Sequence, residues 1–258
     1  MDALQLSGKT ALVLGVANRW SIAYAIADLL QAHGVRLALT YQNERIGDEV
    51  RKLSSGWSNV LHLPCELTDD AQVDSVFARL HSEFGQLNYL IHCIAFADRA
   101  DLQGAFRNIS RPGFHTAMEV SAYTLIAVAR RAAPLMPAEQ SSILTLTYMA
   151  SERVVPNYNV MALAKAALEN SVRYLASDLG PLGIRVNALS AGPVKTASAR
   201  AITGFSDMLK QHAERAPLRR NITVEEVGKA ALYLCSDLAS GVTGTVHFVD
   251  AGYHILGS

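Results

Sequence analysis

Short runs of apolar and β-branched residues alternate along the chain with longer segments in which apolar residues recur at helical spacing. The short runs predict seven strands, at Thr10–Leu14, Val35–Thr40, Val60–Leu63, Tyr89–Ile94, Ile143–Thr147, Ile184–Leu189 and Thr245–Val249. The helical spacing predicts helices at Ile22–Ala32, Ala71–Phe84, Thr116–Ala133, Val160–Asp178 and Val224–Cys235. Strands that alternate with helices require crossovers, which give a parallel sheet covered on both faces. We therefore expect an α/β, doubly wound (Rossmann) fold with seven parallel strands.

The length of the chain fits one domain. Its 258 residues are 50% hydrophobic, enough to bury one large core, and α/β chains of about 200 to 250 residues commonly form a single domain. No low-complexity linker, charge block or internal repeat divides the sequence. We expect residues 1–258 to form one dinucleotide-binding and catalytic domain. Its one long irregular stretch is 191–218.

Charge and cysteine content narrow the partners and the compartment. Lysine plus arginine equals aspartate plus glutamate, 23 against 23, so we expect no nucleic-acid or membrane partner. No apolar stretch reaches the ~18 residues of a membrane span, and the histidines form no metal-ligand cluster. Cys65, Cys93 and Cys235 lie far apart without a C-x-x-C pair, which favours a reducing compartment. We expect a cytoplasmic protein, or a plastid stromal one if the chain is a processed form.

The first candidate motif follows the first predicted strand. Gly15 ends that strand, and Ser21 and Ile22 begin the next helix. A helix amino terminus offers free N–H groups and a positive dipole end to a pyrophosphate, and glycine permits close approach of the backbone. The usual G-x-G-x-x-G is absent. A tight turn at Gly15 with Ser21 as a plain helix cap is an equally acceptable interpretation of these residues alone.

The second candidate motif follows the second predicted strand, where dinucleotide folds recognise the adenosine ribose. Gln42 offers hydrogen bonds but no charge to a 2′-phosphate, and Glu44 would repel one, so NADH is favoured over NADPH. Arg45 is an alternative phosphate ligand, although a solvated charge at a helix start suits it better. After the third strand, Glu66 and Leu67 would flank the adenine; they could equally be a loop acid beside a core leucine.

The third candidate motif lies in the second half of the chain. Tyr148 follows the fifth predicted strand, and Tyr158 and Lys165 are seven apart in a helical segment, so both can face one side. A lysine ammonium near a tyrosine favours the phenolate and can bind the nicotinamide ribose hydroxyls. A core tyrosine beside a snorkelling lysine would have the same pattern.

These residues resemble the enoyl-acyl-carrier-protein reductases, a divergent family of the short-chain dehydrogenase/reductase superfamily. In that family the tyrosine and lysine are seven apart and a further tyrosine follows strand five, as Tyr158, Lys165 and Tyr148 do here. Carbonyl-reducing members have the pair four apart, where this chain has Met161. The resemblance covers essentially the whole chain and includes the runs Gly15–Ala23, Tyr41–Asn43, Pro156–Met161, Asn187–Pro193 and Leu234–Leu238.

The resemblance implies NADH-dependent reduction of the trans-2 double bond of enoyl thioesters on acyl carrier protein, in fatty-acid elongation, by a homotetramer. Tyr158 would stabilise the enolate oxygen, Lys165 would hold the cofactor ribose, and Tyr148 would contact the substrate, relay a proton or form an aromatic lid. The implied cofactor contacts are Gly15, Ser21, Ile22, Gln42, Glu66, Leu67, Ile94 at the end of strand four, Lys165, Val194 and Thr196. The implied substrate contacts are Ala97, Tyr148, Tyr158, Met161, Ile202, Phe205 and Met208, the last three in a substrate flap at about 196–212.

Two residues depart from the family pattern, and two other functions stay open. Glu66 stands where the family has aspartate, and Ala95 stands where glycine is usual, which would narrow the mouth shared by cofactor and substrate. Arg200 and Lys210 are candidates for contact with an acidic carrier protein. A carbonyl reductase of the same superfamily is disfavoured by Met161, and a nonenzymatic dinucleotide sensor would not need the placed tyrosine and lysine.

Overall fold

The computed structural model describes residues 4–196 and 203–257. Its centre is one parallel sheet of seven strands in the order β3-β2-β1-β4-β5-β6-β7. The strands are β1 (Thr10–Leu14), β2 (Arg36–Tyr41), β3 (Leu61–Pro64), β4 (Tyr89–His92), β5 (Ser141–Thr147), β6 (Ile184–Ala191) and β7 (Val246–Val249). The strand order reverses between β1 and β4, and in such sheets ligands bind beyond the carboxyl ends of the strands at that point. The predicted doubly wound fold is confirmed.

Helices cover both faces of this sheet. In the described part of the chain they are α1 (Ile22–Ala32), α2 (Glu44–Leu53), α3 (Asp70–Phe84), α4 (Arg99–Leu102), α5 (Arg111–Met118), α6 (Thr124–Ala132), α7 (Asn159–Leu179), α8 (Phe205–Arg215) and α9 (Val224–Cys235). A π-helical turn, Glu119–Tyr123, joins α5 to α6. Short 3-10 turns lie at Phe106–Asn108, Ala133–Leu135, Met149–Ser151, Gly180–Leu182, Asp237–Ala239 and Tyr253–Ile255.

The hydrophobic core has two layers, one on each side of the sheet. Along β1, Ala11 and Val13 face the layer formed with α1 and α9, whereas Leu12 and Leu14 face the layer formed with α3, α6 and α7. Every residue of β1 is buried. A strand buried on both faces is apolar without alternation, which is why this run could be recognised in the sequence.

Several observed elements differ from the predicted ones. The predicted helix 116–133 is divided into α5, the π-helical turn and α6. The helix α2 was not predicted, and α8 lies inside the stretch 191–218 that was expected to be irregular. The fourth strand ends at His92, so the expectation that Ile94 ends it is wrong by two residues. The bounds of β1, α1 and α9 match the predicted ones.

Two properties of the described residues concern the membrane and metals. No helix within 4–196 and 203–257 is both long and apolar enough to cross a membrane. The same residues contain no group of three or more His, Cys, Asp or Glu side chains placed to hold a metal ion. Cys65, Cys93 and Cys235 are free thiols.

Candidate active site

The turn after β1 requires glycine. Gly15 has φ +96°, and a Cβ built there would lie 2.3 Å from the carbonyl oxygen of Cys93, just past β4. The two strand ends at the reversal point therefore approach more closely than any other residue permits. Ser21 is the N-cap of α1: its Oγ accepts a hydrogen bond from the Tyr24 N–H (3.2 Å) and donates one to the Asn18 carbonyl (2.8 Å). The interpretation of Ser21 as a helix cap is confirmed, and the cap places the free amino terminus of α1 at the cleft. Pyrophosphate binding at this turn stays a prediction.

A small cavity of about 180 Å³ lies in front of this turn. It is lined by Gly15, Ala17, Asn18, Ser21, Ile22, Ala23, Cys93, Ile94, Ala95, Leu146, Lys165 and Thr196. Its wall contains the amino terminus of α1, whose first N–H groups have no partners within the helix and carry the positive end of its dipole. This cleft fits the pyrophosphate and nicotinamide half of a dinucleotide.

A larger, mostly apolar cavity of about 350 Å³ adjoins the first. Its lining includes Ala97, Leu102, Tyr148, Tyr158, Met161, Pro193, Val194, Phe205 and Met208. Both cavities share Ile22, Ala95, Leu146, Lys165 and Thr196 in their walls. Ala95 therefore lies where the two spaces meet, at the position expected for the mouth common to cofactor and substrate.

Lys165 lies at the junction of the two cavities and is buried. Its Nζ donates a hydrogen bond to the Leu146 carbonyl at the end of β5 (2.7 Å). Burial lowers the pKa of Lys165 to about 8, although the neighbouring Cys93 and Glu169 oppose the shift. One turn further along α7, Glu169 is also buried and accepts a hydrogen bond from the Thr147 hydroxyl (2.6 Å). The lysine is thus held in place and remains mostly protonated at neutral pH.

Tyr158 occupies the N-cap position of α7, directly before the helix begins. Its ring lies 5.1 Å from that of Tyr148, tilted by 59°. Burial raises the pKa of the Tyr158 phenol far above its ordinary value, and the nearby Tyr148 raises it further. The expectation that Lys165 favours the phenolate is therefore wrong for this structure. Tyr158 is a neutral phenol with a proton to donate.

Tyr148 is the second phenol of the larger cavity. Its hydroxyl points to the Met208 sulfur at 3.6 Å, a weak acceptor. Burial raises the pKa of Tyr148 to about 12, with smaller contributions from Tyr253 and Asp250. The structure thus brings two neutral hydroxyl donors to one wall of an apolar cavity.

The remaining candidate substrate residues face these phenols. Ala97 and Met161 pack around Tyr158, with Met161 one helical turn before Lys165. Phe205 and Met208, on the first turn of α8, line the same cavity, and the Met208 sulfur contacts the Tyr148 hydroxyl. Ile202, the third apolar residue predicted for the flap, lies outside the described residues.

Three candidate cofactor residues lie away from both cavities, at the ends of β2 and β3. Gln42 directly follows β2, and its amide donates a hydrogen bond to the Glu66 carboxylate (2.5 Å). Leu67 is partly buried against the core layer of α3. Arg45 is an exposed residue of α2. These strands flank β1 on the side away from β4, where the adenosine half of a dinucleotide bound at Gly15 would extend.

Comparisons with known proteins agree on one family. A family model described as enoyl-(acyl carrier protein) reductase matches residues 15–254. A curated enoyl-[acyl-carrier-protein] reductase [NADH] from Bacillus cereus is 52% identical over 254 residues, which are 98% of this chain and 99% of that protein. The chain belongs to the enoyl-acyl-carrier-protein reductase family.

Solved structures of this family share the fold over the full chain. The crystal structure of the Bacillus cereus enoyl-acyl carrier protein reductase, a complex with NADP+ and an indole naphthyridinone, matches with a TM-score of 0.96 at 51% identity and covers 100% of each chain. The enoyl-acyl-carrier-protein reductase of Anaplasma phagocytophilum in complex with NAD matches with a TM-score of 0.93 at 43% identity, over 99% of this chain and 95% of that one.

In this family member, Ser121 supports the cavity wall although it was not among the predicted site residues. Ser121 is fully buried in the π-helical turn. Its hydroxyl accepts a hydrogen bond from the Phe96 N–H (2.9 Å) and donates one to the Phe96 carbonyl (3.0 Å). The bonds fix the loop that carries Ala95 and Ala97. Single π-helical turns are frequent at functional sites, but local residue spacing gives no sign of this one.

Two asparagines beside Tyr158 were also missed. The Asn159 side-chain amide donates hydrogen bonds to the carbonyls of Gln103 (3.2 Å) and Gly104 (3.1 Å), after α4. The Asn157 amide donates one to the Thr203 carbonyl (3.1 Å), just before α8. These bonds join the start of α7 to the two segments that flank the cavity entrance. Their position next to Tyr158 was the only indication in the sequence, because their hydrogen-bond partners lie 46 to 56 residues away in the chain.

Proposed function

We propose that this protein reduces the trans-2 double bond of enoyl thioesters carried on acyl carrier protein, with NADH, in the elongation cycle of fatty-acid synthesis. One observation carries the proposal. Tyr158 and Lys165 line the same apolar cavity, which adjoins the dinucleotide cleft, while Met161 occupies the position one turn before the lysine. The spacing of Tyr158 and Lys165 is the one that an enoyl reductase uses, and a methionine stands where a carbonyl reductase has its tyrosine.

The residues of the smaller cavity fit the cofactor. When bound there, NADH supplies the hydride. The turn at Gly15 and the amino terminus of α1 would receive the pyrophosphate, and Ser21 holds that terminus in place. Lys165 would donate to the ribose hydroxyls, and its bond to the Leu146 carbonyl fixes its direction.

Tyr158 acts on the charge that develops in the reaction. As C3 of the substrate gains the hydride, negative charge grows on the thioester oxygen, which becomes an enolate oxygen. The buried, neutral phenol donates a hydrogen bond there, and one such preorganised donor is worth about 10²- to 10³-fold in rate. The apolar walls strengthen the interaction, because little water competes for the same oxygen.

The apolar side chains of α8 in the larger cavity serve the acyl chain. Phe205 and Met208 provide apolar contacts from α8, and we assign the flap to about 196–212. The Tyr148 ring packs at a tilt against Tyr158, and its hydroxyl contacts only a weak sulfur acceptor, so its proton is available to the substrate or to a relay toward C2. Because the hydrogen bond from the Tyr148 hydroxyl to the Met208 sulfur is weak, little energy is lost when a thioester oxygen replaces the sulfur as acceptor.

The absorbance of NADH separates the candidate activities. We expect oxidation of NADH with a crotonyl thioester and none with an acetoacetyl thioester, on carrier protein or coenzyme A. Oxidation with acetoacetyl thioester alone would establish a carbonyl reductase and refute the proposal. Binding of NADH without turnover of either substrate would instead indicate a nonenzymatic dinucleotide-binding protein.

We further propose a homotetramer that works in the cytoplasm, or in the plastid stroma if the chain is processed. Support comes from large apolar side chains exposed on neighbouring helices, Ile126 on α6 and Tyr174 on α7, with Tyr123 just before α6. The surface that we propose for contact with the acidic acyl carrier protein includes Lys210, which is exposed on α8 with its Nζ 4.0 Å from Glu214. Arg200, the other candidate for this contact, lies outside the described residues. Solution scattering should give the mass of four chains, and the mass of one chain would refute the tetramer.

A further inference from the structure

Gln42 and Glu66 form a pair at the carboxyl ends of two adjacent parallel strands. Tyr41 of β2 lies in register with Pro64 of β3, so the residues that follow them are neighbours. The Gln42 Nε2 donates a hydrogen bond to the Glu66 Oε2 over 2.5 Å. The pair lies at the strand ends where the ribose of a dinucleotide would be recognised.

The Glu66 carboxylate is held from the other side by the start of the next helix. Its Oε1 accepts hydrogen bonds from the Thr68 N–H (3.1 Å) and the Thr68 hydroxyl (3.0 Å). The Glu66 N–H donates to the Gln72 Oε1 (2.9 Å), and the Gln72 amide donates in turn to Asp69, the N-cap of α3. Partial burial raises the pKa of Glu66, but the hydrogen bonds from Gln42 and Thr68 outweigh it and leave the pKa below its ordinary value. Glu66 is thus an ionised, fixed acceptor.

An ionised carboxylate only accepts hydrogen bonds, so it dictates which end of the Gln42 amide faces it. The NH₂ group must point to Glu66, and the carbonyl oxygen is left for the ligand. That oxygen accepts a hydrogen bond from a ribose 2′-hydroxyl. A 2′-phosphate has only acceptor oxygens, so its oxygens would face the lone pairs of the Gln42 carbonyl oxygen and be repelled.

We propose that Glu66 is a positioning residue that sets the preference for NADH over NADPH by fixing the Gln42 amide with its carbonyl oxygen toward the ribose. The inference rests on the proposed use of NADH, but it concerns binding and not reduction. An amide without this partner could rotate by half a turn and offer its NH₂ group to a phosphate.

Glu66→Gln inverts the arrangement with no change in size. The Thr68 N–H still needs an acceptor, so the new amide keeps its carbonyl oxygen on Thr68 and turns its NH₂ group to Gln42. The Gln42 carbonyl must then face residue 66, which exposes the Gln42 NH₂ group to the ligand. We expect the ratio of Kd values, NADPH over NADH, to fall by about tenfold to hundredfold, the factor for one hydrogen bond to a charged group.

The measurement is a fluorescence titration of NADH and NADPH against the full-length chain, with a thermal melt for each variant. Glu66→Asp is the second variant: it keeps the charge but withdraws the carboxylate by one C–C bond, about 1.5 Å, and should lower the ratio less than Glu66→Gln does. Asp48→Asn is the charge control, because Asp48 is paired with Arg51 on the same helix and has no assigned contact with Gln42 or the ribose. It should leave the ratio within about twofold.

A double-mutant cycle separates orientation from charge. In a Gln42→Ala background, Glu66→Gln should no longer change the ratio, because the amide through which it acts is gone. The proposal is overturned if the full change persists in that background, or if Glu66→Gln weakens both dinucleotides equally. A ratio shift in a chain that fails to reduce crotonyl thioester would refute the reductase and leave the assignment of Glu66 intact.

Discussion

The Tyr158 hydroxyl can be removed with almost no change in packing. Tyr158→Phe keeps the ring that lies 5.1 Å from Tyr148, and it leaves the Lys165 contact with Leu146 untouched. Within residues 4–196 and 203–257, the Tyr158 hydroxyl makes no hydrogen bond that the substitution would break. The fold and the cofactor cleft should therefore survive the substitution.

The expected loss follows from the state of the phenol. Because burial keeps the pKa of Tyr158 far above neutrality, every molecule has the donor in place before substrate arrives. Removing one preorganised donor to a developing oxyanion costs about 10²- to 10³-fold in kcat, or about 2.7 to 4 kcal/mol of transition-state stabilisation. The hydrogen bond is strongest in the transition state, so KM for the enoyl thioester should change little.

The assay is steady-state NADH oxidation with a crotonyl thioester, together with an NADH titration of the same preparation. Tyr148→Phe is the matched comparison, since it removes an identical hydroxyl from the same cavity and loses only the contact with the Met208 sulfur. We expect its kcat to fall by less than that of Tyr158→Phe. Loss of NADH binding with undiminished kcat in Tyr158→Phe would refute the assignment of the oxyanion donor.

Three further predictions concern the cofactor cleft and the flap. In pH profiles, kcat/KM and NADH affinity should fall as pH rises through about 8, where Lys165 loses its proton, and a profile flat from pH 7 to 10 would contradict this role. Gly15→Ala should abolish dinucleotide binding, since its Cβ would lie 2.3 Å from the Cys93 carbonyl oxygen; unchanged NADH titration would show that the turn adapts. In hydrogen exchange, the segment 199–208 should gain protection when NAD and an acyl-like ligand bind together, because Phe205 and Met208 then gain an apolar partner. Equal protection of these amides with and without ligand would show that the segment does not change on binding and would refute its role as a flap.

Elements whose pattern is set by the core could be predicted from sequence, and elements set by distant contacts could not. Helix α1 buries a regular apolar stripe and starts at a serine cap, so both ends were predictable. Helix α2 is an exception, because it was missed although Ile46, Val50 and Leu53 form an apolar stripe at helical spacing behind an Asn43 cap. The π-helical turn that divides helix 116–133 contains Ser121, whose hydrogen-bond partner Phe96 is 25 residues away in the chain.

The candidate site follows the same division. The positions of Gly15, Tyr158 and Lys165 could be inferred because their chemistry depends on short spacing beside strand ends. The charge state of Tyr158 could not, because it depends on how much water the cavity excludes. The bond between Gln42 and Glu66 joins residues 24 apart and becomes visible only once β2 and β3 are known to be neighbours.

One physical cause gives the two central side chains opposite properties. Exclusion of water from the apolar cavity disfavours any charged form, so it raises the pKa of Tyr158 and lowers that of Lys165. The phenol consequently stays a donor at neutral pH, whereas the lysine titrates near pH 8. For a base with a lowered pKa, protonation weakens folding below about pH 8, and that cost is relieved as pH rises toward 10.5. The stability contribution of Lys165 should therefore increase over the range in which activity declines. A pH effect on catalysis belongs to Lys165 and not to Tyr158.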